Sequence, residues 1–222
     1  MKSLLLATFR QALVEAHPYR LTLRALPKAR PHLILAVGKG ASWMLKAALD
    51  RYGEVPYHLT LPKGQDALGL RAVFAGHPLP DGESLRAAQE VLELLKGLSP
   101  KARVLALVSG GGSALWCLPL GISLEAKRAL TEALLKSGAC IREINAVRKH
   151  LSQVKGGRLL KATQARLHVL LLSDVPGDDP GVIASGPFHP DSSTYLEALA
   201  VLDRYGLAFP EARRVLEEGL RG

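Results

Sequence analysis

Three short runs of the chain are almost wholly apolar and end in glycine or serine: residues 32–38, 103–108 and 167–172. A run of that length without polar alternation suits a strand buried on both faces, as in a parallel sheet covered by helices. Residues 71–76 read as a further strand. Between and around these runs the apolar spacing changes to that of helices. Leu6, Phe9, Leu13 and Ala16 place one helix over 3–16, and a second follows at about 41–51. Asp81 is positioned to cap a helix whose apolar face is Leu85, Ala88, Leu92 and Leu95, and Ser123 to cap one that runs to Gly138. Residues 141–161 read as one long helix, and shorter helices are expected at 192–205 and 210–219.

Strands that alternate with helices form right-handed βαβ units. The predicted fold is therefore α/β: a Rossmann-like, doubly wound, mostly parallel sheet with helices on both faces. Residues 1–222 are expected to form one domain, and there is no internal repeat or low-complexity segment. Hydrophobic residues make up 48% and charged residues 22%, which excludes a disordered chain. The net charge of +9 admits nucleic acid, anionic membranes or phosphorylated small molecules as partners. The basic residues are mostly mixed with acids, so a soluble basic surface accounts for the charge as well. Cys117 and Cys140 are too few for a disulfide framework and are expected to be reduced. Arg10 and Glu15 interrupt the N-terminal leucines, which argues against a signal peptide or membrane span and for a cytoplasmic setting.

In doubly wound sheets, ligands collect beyond the carboxyl ends of the strands. Four polar or glycine-rich loops lie there: Gly38-Lys39-Gly40, Gly76-His77-Pro78, Ser109-Gly110-Gly111-Gly112-Ser113, and Ser173-Asp174 with Gly177-Asp178-Asp179. The three consecutive glycines allow backbone N–H groups to approach an anion closely. The loop is neither a Walker A motif nor GxGxxG, since Leu115 stands where the last glycine belongs. A tight strand-to-helix turn is the plain alternative. Lys39, between two glycines, has the reach to place a point charge on a transferring phosphoryl group; a solvated loop lysine is the alternative.

Within the expected helix 141–161, Ile144, Val147, Leu151 and Val154 share one face, and Arg142, Lys149 and Gln153 lie opposite, toward water. Asn145, Arg148, Ser152 and Lys155 form a stripe beside the apolar face. Arg148 and Lys155 there suit carboxylate or phosphate, although a solvated basic helix would show the same pattern. Gly156-Gly157 then breaks or turns the helix. Asp174 is the first choice as a Mg²⁺ ligand, because Mg²⁺ takes one or two carboxylates and keeps water. Asp178 is a second candidate; Asp178 and Asp179 also suit Asx bonding of the turn. His77 has no Ser/His/Asp or zinc spacing around it. The polar stretch Ala184-Ser185-Gly186-Pro187 reveals no chemistry on its own.

The stretches Val37-Gly38-Lys39-Gly40-Ala41, Gly76-His77-Pro78-Leu79-Pro80-Asp81 and Ser109-Gly110-Gly111-Gly112-Ser113-Ala114-Leu115 are similar to blocks of the glycerate 2-kinase family (MOFRL-type). So are Asn145-Ala146-Val147-Arg148-Lys149-His150-Leu151-Ser152, Lys155-Gly156-Gly157-Arg158-Leu159, and the segment from Ser173 to Pro187. The blocks keep the family's order and cover roughly residues 30–205. Some members carry the older label hydroxypyruvate reductase. The resemblance implies a Rossmann-like N-terminal domain, transfer of the ATP γ-phosphate to the 2-hydroxyl of D-glycerate, and a divalent cation. It also implies that Lys39 stabilises charge on the transferring phosphoryl group. Gly40 departs from an alanine common in the family. Family members are about twice as long and carry a C-terminal domain that closes over the cleft, so ligands from that half stay unassigned.

Three other readings compete with the kinase. A nicotinamide-dependent hydroxypyruvate reductase lacks its GxGxxG and the acidic residue about twenty positions on. A truncated module that holds glycerate or nucleotide without turnover remains open. A nucleic-acid binder is opposed by the few aromatics and by the concentration of glycines at strand ends. The oligomeric state, a homodimer included, is not readable from the sequence.

Overall fold

The apolar runs do form strands, and side-chain alternation divides them between two cores. In β1 (Leu33–Val37), Ile34 and Ala36 face one core while Leu33, Leu35 and Val37 face the other. In β4 (Arg103–Ser109), Leu105 and Leu107 join the first core and Val104 and Val108 the second. Burying each Val, Leu or Ile among them stabilises by about 1.5–3 kcal/mol relative to exposure, so these two strands anchor the molecule. The computed structural model describes residues 2–222. Met1, included in the expected domain span, lies outside the described residues.

Two helices, α1 (Lys2–Glu15) and α2 (Pro18–Ala25), precede β1. After β1 come α3 (Ala41–Tyr52), β2 (Tyr57–Pro62), β3 (Val73–Ala75) and α4 (Gly82–Lys96). After β4 come α5 (Gly112–Leu115), α6 (Leu124–Lys136), α7 (Ile141–His150) and α8 (Arg158–Lys161). The chain continues with β5 (Arg166–Leu172), a 3-10 turn at Ile183–Ser185, α9 (Tyr195–Arg204) and α10 (Pro210–Arg221).

The sheet is five-stranded in the order β3-β2-β1-β4-β5, and every pairing is parallel. Met44, Leu45 and Ala48 of α3 cover one face; Ala87, Val91 and Leu95 of α4, with Leu115 and Leu159, cover the other. The doubly wound α/β expectation is therefore met. The strand order reverses between β1 and β4, which is where such sheets open a crevice for ligands. A third core lies apart from the sheet, where Leu130, Leu134, Val147, Leu151, Leu202 and Leu216 pack α6, α7, α9 and α10 together.

Both expected caps form. The Asp81 carboxylate accepts from the Ser84 N–H, and the Ser123 hydroxyl accepts from the Ala126 N–H. Several expectations need correction. The strand expected at 71–76 is shorter, Val73–Ala75, and lies at a sheet edge. The most apolar strand, β5, is the other edge and is only half-buried over Val169–Leu172. α2 and β2 go beyond the elements expected from the sequence, although α2 is amphipathic and β2 alternates Tyr57, Leu59 and Leu61 with His58 and Thr60.

The long helix 141–161 is broken. α7 ends at His150 because the next residues bond elsewhere. The Leu151 carbonyl accepts from the Leu120 N–H, the Gln153 N–H donates to the Leu118 carbonyl, and Ser152 bridges Pro119. Lys149, expected to face water, is buried and ion-paired with Asp191 at 3.1 Å. No helix among the described residues is long and apolar enough to cross a membrane.

Candidate active site

The loop after β1 and the loop after β4 clasp each other at the crevice. The Lys39 N–H donates to the Gly110 carbonyl at 2.9 Å, and the Gly40 N–H donates to the Ser109 hydroxyl at 2.9 Å. Ser109 in turn donates to the Val37 carbonyl at 3.4 Å. Gly38 packs so tightly on Ser109 that a Cβ there would collide with it. Gly38, Gly40 and Ser109 thus hold the two loops together while Lys39 stays exposed.

A turn needs one glycine, and here it is Gly111 at φ +94°. Its neighbours are glycine for a different reason. A Cβ on Gly110 would lie 2.5 Å from Asp174 Oδ2, and one on Gly112 would lie 2.7 Å from the Ala184 Cβ. A Cβ on Gly111 would also stand 3.1 Å from the His77 ring and 3.7 Å from Lys39 Cγ. Each glycine removes a side chain from a different approaching loop. The tight-turn alternative therefore explains Gly111 alone.

The glycine loop after β4, with the 77–78, 174–175 and 182–184 segments, borders an open cavity of about 230 Å³. His77, Gly110, Gly111, Ser113, Arg148 and Asp174 are among its walls. The His77 pKa is lowered from its ordinary value by burial and then by the charges of Lys39 and Arg148, which favours the neutral imidazole. Arg148 thus brings positive charge to the cavity wall, where the Asp174 carboxylate also lies, and Lys39 brings it to the neighbourhood of His77. α5 is a single turn, so its dipole adds little to this charge.

Asn145 supports the wall from behind. It is buried, and its Oδ1 accepts from the Ser185 hydroxyl at 2.8 Å. The Ser185 and Ser113 hydroxyls share a hydrogen bond of 2.7 Å. The chain Ser113–Ser185–Asn145 ties the glycine loop to α7. Ser185 had no sequence signal of its own: its partners are 72 and 40 residues away.

Four stripe or turn residues do not reach the cavity. Ser152 is buried and its hydroxyl accepts from the Val154 N–H. The Lys155 ammonium donates to the carbonyls of Ser113 at 2.7 Å and Trp116 at 2.9 Å. Gly156 and Gly157 donate through their N–H groups to the Ser185 and Gly186 carbonyls, stitching this segment to the 3-10 turn. All four sit one layer behind the site because the helix that was to carry them ends early.

Asp174 is exposed at the cavity and Asp178 is exposed away from it. The Asp178 N–H closes a turn onto the Val175 carbonyl, and Asp179 Oδ1 accepts from the Gly181 N–H as an Asx turn does. Among the described residues no cluster of three or more His, Cys, Asp or Glu side chains forms a metal cage. A single carboxylate in a cavity otherwise positive fits Mg²⁺ carried in on phosphate oxygens, not a cation held by protein alone. A wider groove of about 1040 Å³ runs past Val55, Gly97 and Leu98, away from the carboxyl-end loops, and its His58 and Glu90 pair with each other.

The chain is similar to known proteins over most of its length. A D-glycerate 2-kinase of Thermotoga maritima is 44% identical over 98% of this chain, which covers 55% of that protein. A putative hydroxypyruvate reductase of Agrobacterium vitis is 42% identical over 95% of this chain, which covers 50% of that protein. The crystal structure of a glycerate kinase from Thermotoga maritima superposes with a TM-score of 0.84 at 44% identity, over 93% of this chain and 52% of that one. The chain thus spans about half the length of the curated relatives it matches. The profile of a domain of unknown function, DUF4147, matches residues 4–217. With that match and these relatives, the chain belongs to the DUF4147 family that these glycerate kinases share.

Proposed function

We propose that residues 1–222 are the Rossmann-like catalytic unit of an ATP-dependent kinase that phosphorylates D-glycerate at its 2-hydroxyl. The observation that carries this reading is that Arg148, Gly110, Gly111 and Asp174 line one cavity, with Lys39 packed beside Gly111 at its edge. Phosphoryl transfer needs little covalent help from a protein; it needs position and charge. Lys39 is the flexible point charge for the transferring phosphoryl group. Arg148 offers a planar fork for a carboxylate or phosphate. The glycine loop lets Asp174, His77 and Ala184 close in where a Cβ would hold them off. Asp174 would hold Mg²⁺, which when bound neutralises charge on the phosphate oxygens.

The cavity volume supports the same division of labour. About 230 Å³ suits a small acid or a terminal phosphoryl group and falls below the range of whole drug-sized ligands. The rest of the nucleotide needs walls from elsewhere, in line with relatives of about twice this length. A companion domain equivalent to their second half is therefore part of the proposal, as is a cytoplasmic setting. Nucleic acid and membrane are not partners in this reading.

The name of the Agrobacterium relative keeps a reductase in view. One experiment separates the readings: the purified chain is given ATP, Mg²⁺ and D-glycerate, and separately NADH or NADPH with hydroxypyruvate. ADP release that depends on D-glycerate, with the phosphate located on the 2-oxygen by phosphorus NMR, is the expected result. Oxidation of the nicotinamide instead would overturn the kinase.

A further inference from the structure

Beneath the cavity lie two lysines that the phosphoryl-transfer chemistry does not use. Lys127 of α6 and Lys155 of the segment after α7 are each 2% exposed. The Lys127 ammonium donates to the carbonyls of Arg148 at 3.0 Å and Leu151 at 3.2 Å, closing the end of α7. The Lys155 ammonium closes the end of α5 through Ser113 and Trp116. Each cation sits where helix carbonyls point, the favourable end of the peptide dipoles. Each also grips a residue of the cavity wall by its backbone, Arg148 in one case and Ser113 in the other.

Their surroundings lack the usual counter-charge. The groups that act most on the Lys127 charge are Cys117, Lys155, Arg148 and Arg158, and on that of Lys155, Cys117 and Arg148. The lysines paired with carboxylates among the described residues are Lys46, Lys63, Lys96, Lys136 and Lys149, so neither ammonium has an acidic partner. Burial of an ammonium without an acid is costly, and a methionine would fill much the same space without charge. The four carbonyls answer the ammonium hydrogen bonds but carry no net charge, and the adjoining cavity is where an opposite charge would come.

We propose that Lys127 and Lys155 are positioning residues of the active site: they fix Arg148 and Ser113 from behind, and their buried positive charge is completed by the anion bound in the cavity. This rests on the reading of that cavity as an anion site. Burial pushes the Lys127 pKa down to about 7 and that of Lys155 to about 8, from an ordinary 10.5. An anion in the cavity restores the charged forms, so anion affinity falls as pH rises through this range. Neither a packing role nor a purely structural cap produces that linkage.

The test is a pH titration of lysine side chains by carbon-13 NMR on the full chain, without and with saturating sulfate, whose own charge is constant over this range. Lys127→Arg and Lys155→Arg, which keep the charge, assign the two signals. Two lysines titrating near neutrality, with midpoints that rise by about one pH unit in sulfate, are expected; that equals about tenfold weaker sulfate binding at high pH for each lysine, about a hundredfold for the two together. Sulfate binding that leaves both midpoints unmoved overturns the proposal, as do midpoints at the ordinary lysine value. Failure of sulfate to bind at all removes it together with the anion-site reading. Sulfate-linked midpoints without glycerate-dependent ADP release keep this inference and remove the reading that this chain by itself is the kinase.

Discussion

The sheet and the helical layer beside it solve different problems. From Leu33 to Val37 and from Val104 to Val108, β1 and β4 bury nothing but apolar side chains. α6, α7 and the turn that follows bury Lys127, Asn145, Lys149, His150, Ser152 and Lys155. The sheet supplies a stiff edge on which two loops meet at fixed distance. The helical layer supplies charge, and each buried cation is tied to groups far away in sequence. Stability is concentrated in the first region and chemistry is tuned from the second.

The contrast breaks most sharply at β4. Leu107 is fully buried between β1 and β5. Leu107→Ala removes packing from the central core and should cost about 2–5 kcal/mol, read by urea unfolding. A loss below about 1 kcal/mol would mean that the sheet is not the anchor described here.

In the helical layer the corresponding probe is Asp191→Asn, which unpairs Lys149. Burial opposes the Asp191 charge, but the Ser193 N–H and hydroxyl and the Lys149 ammonium outweigh it and hold the carboxyl below its ordinary value. A carboxyl lowered on folding stabilises above its unfolded pKa, and that contribution fades as pH falls through the folded one. Asp191→Asn should therefore cost about 1–3 kcal/mol at neutral pH. The gap from wild type should close in acid, as seen by unfolding at a series of pH values. A gap that does not change with pH would show that the pair contributes by shape and not by charge.

The same contrast governs what could be read in advance. β1 and β4 were legible because a strand buried on both faces needs an unbroken apolar run. β2 was not, since Tyr57-His58-Leu59-Thr60-Leu61-Pro62 mixes polar groups whose partners are remote. His58 pairs with Glu90 and Thr60 accepts from the Trp116 indole, and neither contact has a local signature. The break after His150 was hidden because the apolar spacing Ile144, Val147, Leu151, Val154 continues through it. Competition from the 118–120 segment, a tertiary effect, ends the helix.

The candidate site divides in the same way. Glycines at strand ends advertise loops, so Gly38, Gly110, Gly111 and Gly112 were visible, and with them Lys39. Arg148 stayed beside the cavity because it lies within the surviving helix. Ser152 and Lys155 moved behind it because they lie beyond the break. Ser185 and Lys127 were missed, since one sits in an irregular turn and the other reads as an ordinary helix-surface lysine.

The most direct test of the account compares wild type with Lys39→Ala for ADP release from ATP and Mg²⁺, with and without D-glycerate. Lys39 is exposed and makes its backbone bond through an N–H that alanine keeps, so the fold should be unaffected. The account predicts release that requires D-glycerate and falls by about a hundredfold or more in the variant, at an unchanged unfolding midpoint. Equal release by the two proteins, or release indifferent to D-glycerate, would contradict it.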